Sequence, residues 1–247
     1  MAEILITGGS AGIGRAIAAK MAENGDTLHL VGRNKERLET AAAELDGNVF
    51  IYVCDVADQS ARIQLAEQVS QNSGGRLDGL VLNAARYGFT NLLDMDLESF
   101  EHYFQVNTIS TFHMVQLFHP MLMAGEGRSI LMISSTLSAR PIAGTGAYSA
   151  SKAAMDSLTR TFALELASDK IRVNSILPGV VDTDIHEPQT PDDPPKNAKL
   201  AALGPMHPIG RVGAPEDIAE SAAFLLSSSS SWVTGSLFFV DGGISLV

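Results

Sequence analysis

Ile4-Leu5-Ile6-Thr7-Gly8-Gly9-Ser10-Ala11-Gly12-Ile13-Gly14-Arg15 is an apolar run that breaks into glycines and resumes with helical patterning. A strand, a tight turn and a helix in that order set a helix N-terminus at the carboxyl end of a strand. The free N–H groups and positive dipole end of that helix suit a pyrophosphate, and glycines let the backbone approach it closely. The glycines fall at 8, 12 and 14, which is not the literal G-x-G-x-x-G spacing. The strand–turn–helix context at the start of an alternating chain nevertheless reads as dinucleotide binding through Gly8, Ser10, Gly12, Ile13 and Gly14.

Working outward, short β-branched apolar runs at residues 4–7, 28–31, 49–54, 80–83, 130–134, 173–177 and 237–240 read as strands. Helix-patterned stretches begin near Ile13, Asn34, Asp58, Leu97 and Ser151. Continuous apolar strands are expected where both faces of a sheet are covered, and the alternation predicts an α/β fold with a parallel sheet. No linker or composition shift divides residues 1–247, so one domain is expected. Six of the ten prolines fall from Pro188 to Pro208, among Asp192, Asp193, Lys196 and Lys199. That stretch cannot form one long helix; a mobile lid and an ordered insertion are equal readings. The serines at 227–231 follow an apolar helix and read as a helix end and turn.

Bulk properties exclude several classes. With 45% hydrophobic and 18% charged residues, the composition is that of a soluble globular chain. No apolar run is long enough to span a bilayer, and the N-terminus enters a strand without a basic leader. Net charge is −11 with no Lys/Arg cluster, which argues against nucleic acid or an anionic membrane as partner. The single cysteine, Cys54, lies in an apolar run and reads as a small buried hydrophobe. A cytoplasmic location follows as the expectation.

The second strand ends Leu30-Val31-Gly32-Arg33-Asn34, with no acid at its tip to bond a ribose 2′-hydroxyl. Arg33 is instead a candidate clamp for a 2′-phosphate, with Ser10 adding a hydroxyl, so NADP(H) is favoured over NAD(H).

Tyr148-Ser-Ala-Ser-Lys152 carries the candidate chemistry, with Ser135 thirteen residues upstream of the tyrosine. Side chains four apart share a helix face, and a nearby cation favours phenolate. At about 4 Å and an effective dielectric of about 20 the attraction is roughly 4 kcal/mol. That is about three pKa units, enough to bring a phenol from about 10 toward 7, where proton transfer at neutral pH is efficient. Taken alone, the pentapeptide is equally an exposed helix pair. Ser134 and Ser135 point to opposite faces of a strand, so one of them is expected to face the pocket. Ser149 and Ser151 read as helix-start or surface residues, and Tyr52, Tyr87 and Tyr103 as core or rim packing. His186 and His207 read as loop histidines without a specific role. No histidine shows metal-ligand spacing, and no metal site is expected.

Together these motifs resemble the short-chain dehydrogenase/reductase family over essentially the whole chain. Thr7–Gly14 looks like its T-G-x-x-x-G-x-G loop, and Asp55-Val56 like the acidic pair that meets adenine. Leu82-Asn83-Ala84-Ala85 stands at N-N-A-G; Leu82 and Ala85 depart from that motif, while Asn83 keeps it. Asn107 matches the helix asparagine, Ser135, Tyr148 and Lys152 the serine and Y-x-x-x-K. The segment of Pro178, Gly179, Val181 and Thr183 looks like the P-G motif with its threonine, and Asp241-Gly242-Gly243 like the closing signature. The resemblance implies a Rossmann-type, doubly wound, mostly parallel seven-stranded sheet with helices on both faces. It implies an oxidoreductase interconverting a ketone or aldehyde and a secondary alcohol. Tyr148 would exchange a proton with the substrate oxygen and Ser135 would bond that oxygen. Lys152 would lower the tyrosine pKa and hold the nicotinamide ribose, and Asn107 would position Lys152 through a water. It further implies a homotetramer (or homodimer) pairing helices near residues 107–123 and 151–166; Met155, Leu158, Phe162 and Leu166 lie near one stripe of the latter, which equally serves packing on the chain's own sheet. An epimerase- or dehydratase-like activity on the same fold, or a non-catalytic NADP sensor, is the alternative; an enoyl reductase is disfavoured by its wider Tyr–Lys spacing. Specificity is expected at residues 87–93, 139–145 and 186–208, where Ile142, Leu200, Leu203 and Met206 suit a compact, partly apolar substrate.

Overall fold

A computed structural model describes residues 1–188, 191 and 193–247. Gln189, Thr190 and Asp192 of the proline-rich stretch lie outside the described residues. Seven strands form one sheet: β1 (Glu3–Thr7), β2 (Thr27–Gly32), β3 (Val49–Val53), β4 (Gly79–Leu82), β5 (Ser129–Ile133), β6 (Arg172–Pro178) and β7 (Leu237–Val240). Their order is β3-β2-β1-β4-β5-β6-β7 and every pairing is parallel. This is the expected doubly wound sheet, and each strand lies within a residue or so of the run that predicted it.

The helices are α1 (Gly12–Glu23), α2 (Lys35–Ala43), α3 (Gln59–Asn72), α4 (Leu97–Phe104), α5 (Ser110–Ala124), α6 (Gly146–Glu165), α7 (Lys196–Leu203) and α8 (Pro215–Leu226). Several start where a side chain satisfies orphan N–H groups. Asn34 accepts from Arg37 N–H, Asp58 from Ser60 and Ala61, and Asp96 from Ser99. Helix α6 starts five residues earlier than the pattern near Ser151 suggested, so Tyr148 is inside it. The proline-rich stretch holds one short helix, α7, and the serine run is a helix end and turn after α8, with Ser230 bonded by Arg172.

Alternation along each strand splits the core in two. On one face Leu5, Leu80 and Ile130 pack with Leu65 of α3, Phe118 of α5 and Met155 of α6. On the other, Ile4, Ile6, Leu28 and Leu131 pack with Ile17 of α1 and Leu225 of α8. Both faces are thereby covered. The strand order reverses between β1 and β4, and the crevice outside their carboxyl ends is where α/β sheets bind ligands.

Candidate active site

The turn after β1 is built by backbone needs. Gly8 and Gly12 adopt φ of +66° and +50°, where a side chain is strained. A Cβ on Gly14 would collide with the Gly8 carbonyl, so α1 can pack this closely onto the turn only through glycine. Helix α1 begins after Ala11, which offers no side-chain acceptor, and has no acid in its first turn. Its first N–H groups are therefore open to an anion, with no carboxylate of the helix's own first turn competing. Asn83, just past β4, pins the turn: its amide donates to the Thr7 and Gly8 carbonyls at 2.9 and 3.3 Å. Thr7 Oγ1 in return accepts from the Asn83 and Ala84 N–H groups.

The rest of the expected cofactor set follows the strand ends. Gly32, at the tip of β2, lies so close to Ser10 that a Cβ there would be 3.3 Å from its hydroxyl, and Arg33 is exposed beside it. Asp55 turns its carboxylate back to the Ala57 N–H at 2.9 Å, and Val56 is buried. Arg62, buried and without a carboxylate partner, donates to the Val56 carbonyl and to His113 Nδ1. Pro178 closes β6, and Gly179 packs where a Cβ would meet the Asp241 backbone. Thr183 reaches back to the turn, its methyl 3.0 Å from the position of a Cβ on Gly12.

A cleft of about 1480 Å³ opens at these strand ends. Ser135, Tyr148, Lys152, Ile13, Asn83, Pro178, Gly179, Val181 and Thr183 all line it. Gly8, Ser10, Gly12, Gly14, Arg33, Asp55 and Val56 flank it along the strand ends without forming its wall, and Asn107 stands behind it.

At its floor Tyr148 is 7% and Lys152 1% exposed. Burial pushes the Tyr148 phenol well above its ordinary range; the bond from Ser135 opposes this and neighbouring Tyr87 adds to it. Burial pulls Lys152 down to about 8, against the pull of Asp156. Here the electrostatic expectation is corrected. The Lys152 ammonium lies 5.8 Å from the centre of the Tyr148 ring and donates to the Ile133 carbonyl at 2.6 Å. A spacing of four fixed the shared helix face but not the rotamer, and desolvation governs the phenol.

Of the adjacent serines, Ser135 is the one that acts on Tyr148, favouring the phenolate against burial. The Ser134 hydroxyl is turned to the Lys152 carbonyl, although both residues border the cleft. Asn107 is fully buried in a π-helical turn (Gln105–Ile109) between α4 and α5. Its amide donates to the Arg86 carbonyl at 3.0 Å and to Ser151 Oγ at 2.9 Å, and its oxygen accepts from Arg86 N–H. Ser149 and Ser151 are thus not surface residues: both are buried, and Ser151 ties Asn107 to the helix that carries Lys152.

Three further groups shape the substrate end. Tyr87 packs edge-on against Tyr148, ring centres 4.9 Å apart, and His186 packs on Tyr87 at 6.1 Å. Phe89, Ile142, Leu203 and Met206 give apolar walls, whereas Leu200 is buried away from the cleft. The C-terminal residues Ile244, Ser245 and Val247 also line it, held by Arg140 donating to the Ser245 carbonyl. Nothing in their sequence marked them. His207 is buried as well, its ring taking the Val180 N–H and bonding the Leu203 carbonyl, so its role is structural. Among the described residues no cluster of metal-ligating side chains occurs and no helix is long and apolar enough to cross a membrane.

The sheet order and the glycine turn define a Rossmann-like α/β fold. A family model described as enoyl-(acyl carrier protein) reductase matches residues 8–245. A tropinone reductase homologue of Arabidopsis thaliana is 33% identical over 98% of this chain and 91% of its own length. The 3-oxoacyl-acyl-carrier-protein reductase of Thermotoga maritima is 35% identical, over 97% and 96%. A short-chain type dehydrogenase/reductase of Mycobacterium marinum superposes with a TM-score of 0.89 at 31% identity, covering 98% of this chain and 95% of that one. The chain belongs to the short-chain dehydrogenase/reductase family.

Proposed function

We propose that the protein is an NADP(H)-dependent carbonyl reductase acting on a small, largely apolar ketone, as one domain and in a reducing compartment such as the cytoplasm. The observation that carries this is the convergence of Ser135, Tyr148 and Lys152 on the lining of one apolar cleft, beside the anion-ready glycine turn. The glycine cradle fits a dinucleotide: Gly12 leaves room that a Cβ would take from Thr183, and the first N–H groups of α1 meet no acid. Gly8, Ser10, Gly12, Ile13 and Gly14 would hold the pyrophosphate side, Asp55 and Val56 the adenine, Arg33 and Ser10 the 2′-phosphate. Pro178, Gly179, Val181 and Thr183 would flank the nicotinamide end. When bound, the nicotinamide supplies a hydride.

This chain's residues supply the proton and its geometry. A phenol held protonated by burial is the form that donates when a carbonyl is reduced. Ser135 donates to the carbonyl oxygen and orients it between the two hydroxyls, stabilising the charge that develops there. As Tyr148 gives up its proton, the buried Lys152 ammonium one turn away stabilises the phenolate and anchors the cofactor ribose. Asn107 holds the helix of Lys152 through Ser151. The apolar walls exclude water from the oxygen during transfer. Tyr148→Phe is expected to cut turnover at least about 100-fold, the scale of general acid catalysis, while NADPH affinity changes little. Activity retained by this variant in an NADPH-oxidation assay over a carbonyl panel would refute the assignment; a clear preference for NADH would refute the cofactor choice.

A further inference from the structure

Asp156 is the one buried carboxyl near the site to which the proposed reaction gives no task. It lies on α6 one turn beyond Lys152, on the same helix face, and is 6% exposed. Its Oδ1 has no hydrogen-bond partner, an unusual state for a buried oxygen. Burial pushes the Asp156 carboxyl above the usual carboxylate range, while Ser134, Ser138, Lys152 and Arg160 pull the other way and favour its charged form. The Ser134 hydroxyl donates to the Lys152 carbonyl at 3.4 Å and the Ser138 hydroxyl to the Ser135 carbonyl at 2.7 Å. Asp156 is absent from the cleft lining that Ser135 and Lys152 share. A carboxylate left with an open acceptor in such a place is costly unless a cation compensates it.

We propose that Asp156 is a positioning residue that keeps Lys152 protonated as the counter-charge to Tyr148. The proposal rests on the catalytic reading above for its purpose, but its electrostatic content stands apart from turnover. The charged and titratable groups around the pair are few. Tyr148 lies on the same helix, with Tyr87 from the loop after β4 packed on it. Arg160 acts on Asp156 from the far side along α6. The segment after β5 contributes the uncharged Ser134, Ser135 and Ser138. The sign follows from these neighbours. Asp156 raises the Lys152 pKa against burial, so its loss lets Lys152 deprotonate at lower pH.

The test is a lysine titration by NMR on protein carrying 13Cε-lysine, the Lys152 resonance being assigned by its loss in Lys152→Met. In Asp156→Asn its midpoint is expected to fall by about one unit, as for loss of an opposite charge within a few ångströms. The alkaline limb of kcat/KM for NADPH-dependent reduction of a carbonyl probe, 9,10-phenanthrenequinone, should move the same way. An unmoved midpoint in a folded variant overturns the proposal, whatever its activity, because a packing role alone would lower Tm and leave the midpoint in place. Should Asp156→Asn not fold, wild type decides: the Lys152 resonance must carry a second, acidic inflection as Asp156 protonates, and its absence refutes the coupling. Wild type without NADPH turnover on any carbonyl would sink the catalytic reading and leave this titration valid.

Discussion

Arg33 is exposed at the tip of β2, beside the hydroxyl of Ser10. A guanidinium there contributes to a 2′-phosphate through charge-assisted bonds of about 1.5–3 kcal/mol, or roughly 10- to 100-fold in affinity. Arg33→Ala is therefore expected to raise the KM for NADPH by about that factor and to leave NADH kinetics nearly unchanged; equal loss with both cofactors would argue against a phosphate clamp. Residues of this sort were legible because type and position are both visible in a sequence. Orientation was not. Tyr148 and Lys152 could be placed on one helix face, yet the Lys152 ammonium turns to the Ile133 carbonyl, a choice made by a strand that is distant in sequence. Ser151 was invisible for the same reason: its partner Asn107 comes from another helix.

Elements were read well wherever a period carried them and poorly where tertiary contacts set the geometry. The seven strands announced themselves as β-branched runs. The π-helical turn that aims Asn107 inward has no sequence period of its own, since an i→i+5 bond pattern is imposed by packing. The joint between β1, β4 and the turn before β5 was equally silent. There Asp78 accepts from the N–H groups of Glu3, Glu126 and Gly127. Burial pushes this carboxyl up, but the three donors and Arg76 outweigh it and hold it below the usual carboxylate range. A lowered folded pKa means the stabilisation is complete above the ordinary carboxylate value and is lost as pH falls through it. Asp78→Asn should cost about 1–3 kcal/mol at pH 7, a drop of roughly 2–12 °C in Tm for a chain of this size. Its denaturation should also be less pH-dependent below the carboxylate range. Acid unfolding as steep as in wild type would contradict this account.

At the scale of the whole molecule, the association expected from the family resemblance needs a surface. The stripe of Met155, Leu158, Phe162 and Leu166 takes the second of its two readings and packs into this chain's own core. The same helices do present apolar side chains outward: Ile109 and Phe112 near the start of α5, and Leu164, 81% exposed, at the end of α6. Trp232, Phe238 and Phe239 are exposed at and before the edge strand β7. Exposed apolar area of this kind marks association sites. We propose a homotetramer, with a dimer as its half: light scattering on eluted protein should give four times the 26.2 kDa chain mass, and a monomer would overturn the proposal. Leu164→Glu should lower that mass without loss of the folded chain.

Cys54, 4% exposed and with burial pushing its thiol up to about 11, bears on how the protein can be studied. It is the chain's sole cysteine, and burial and its raised pKa both slow its reaction with thiol reagents at neutral pH. A cysteine placed at Ala198, on α7 at the cleft wall, would be the only thiol to take a maleimide dye. With Cys54 buried, fluorescence from that one exposed position is expected to follow the cleft wall while a ligand enters.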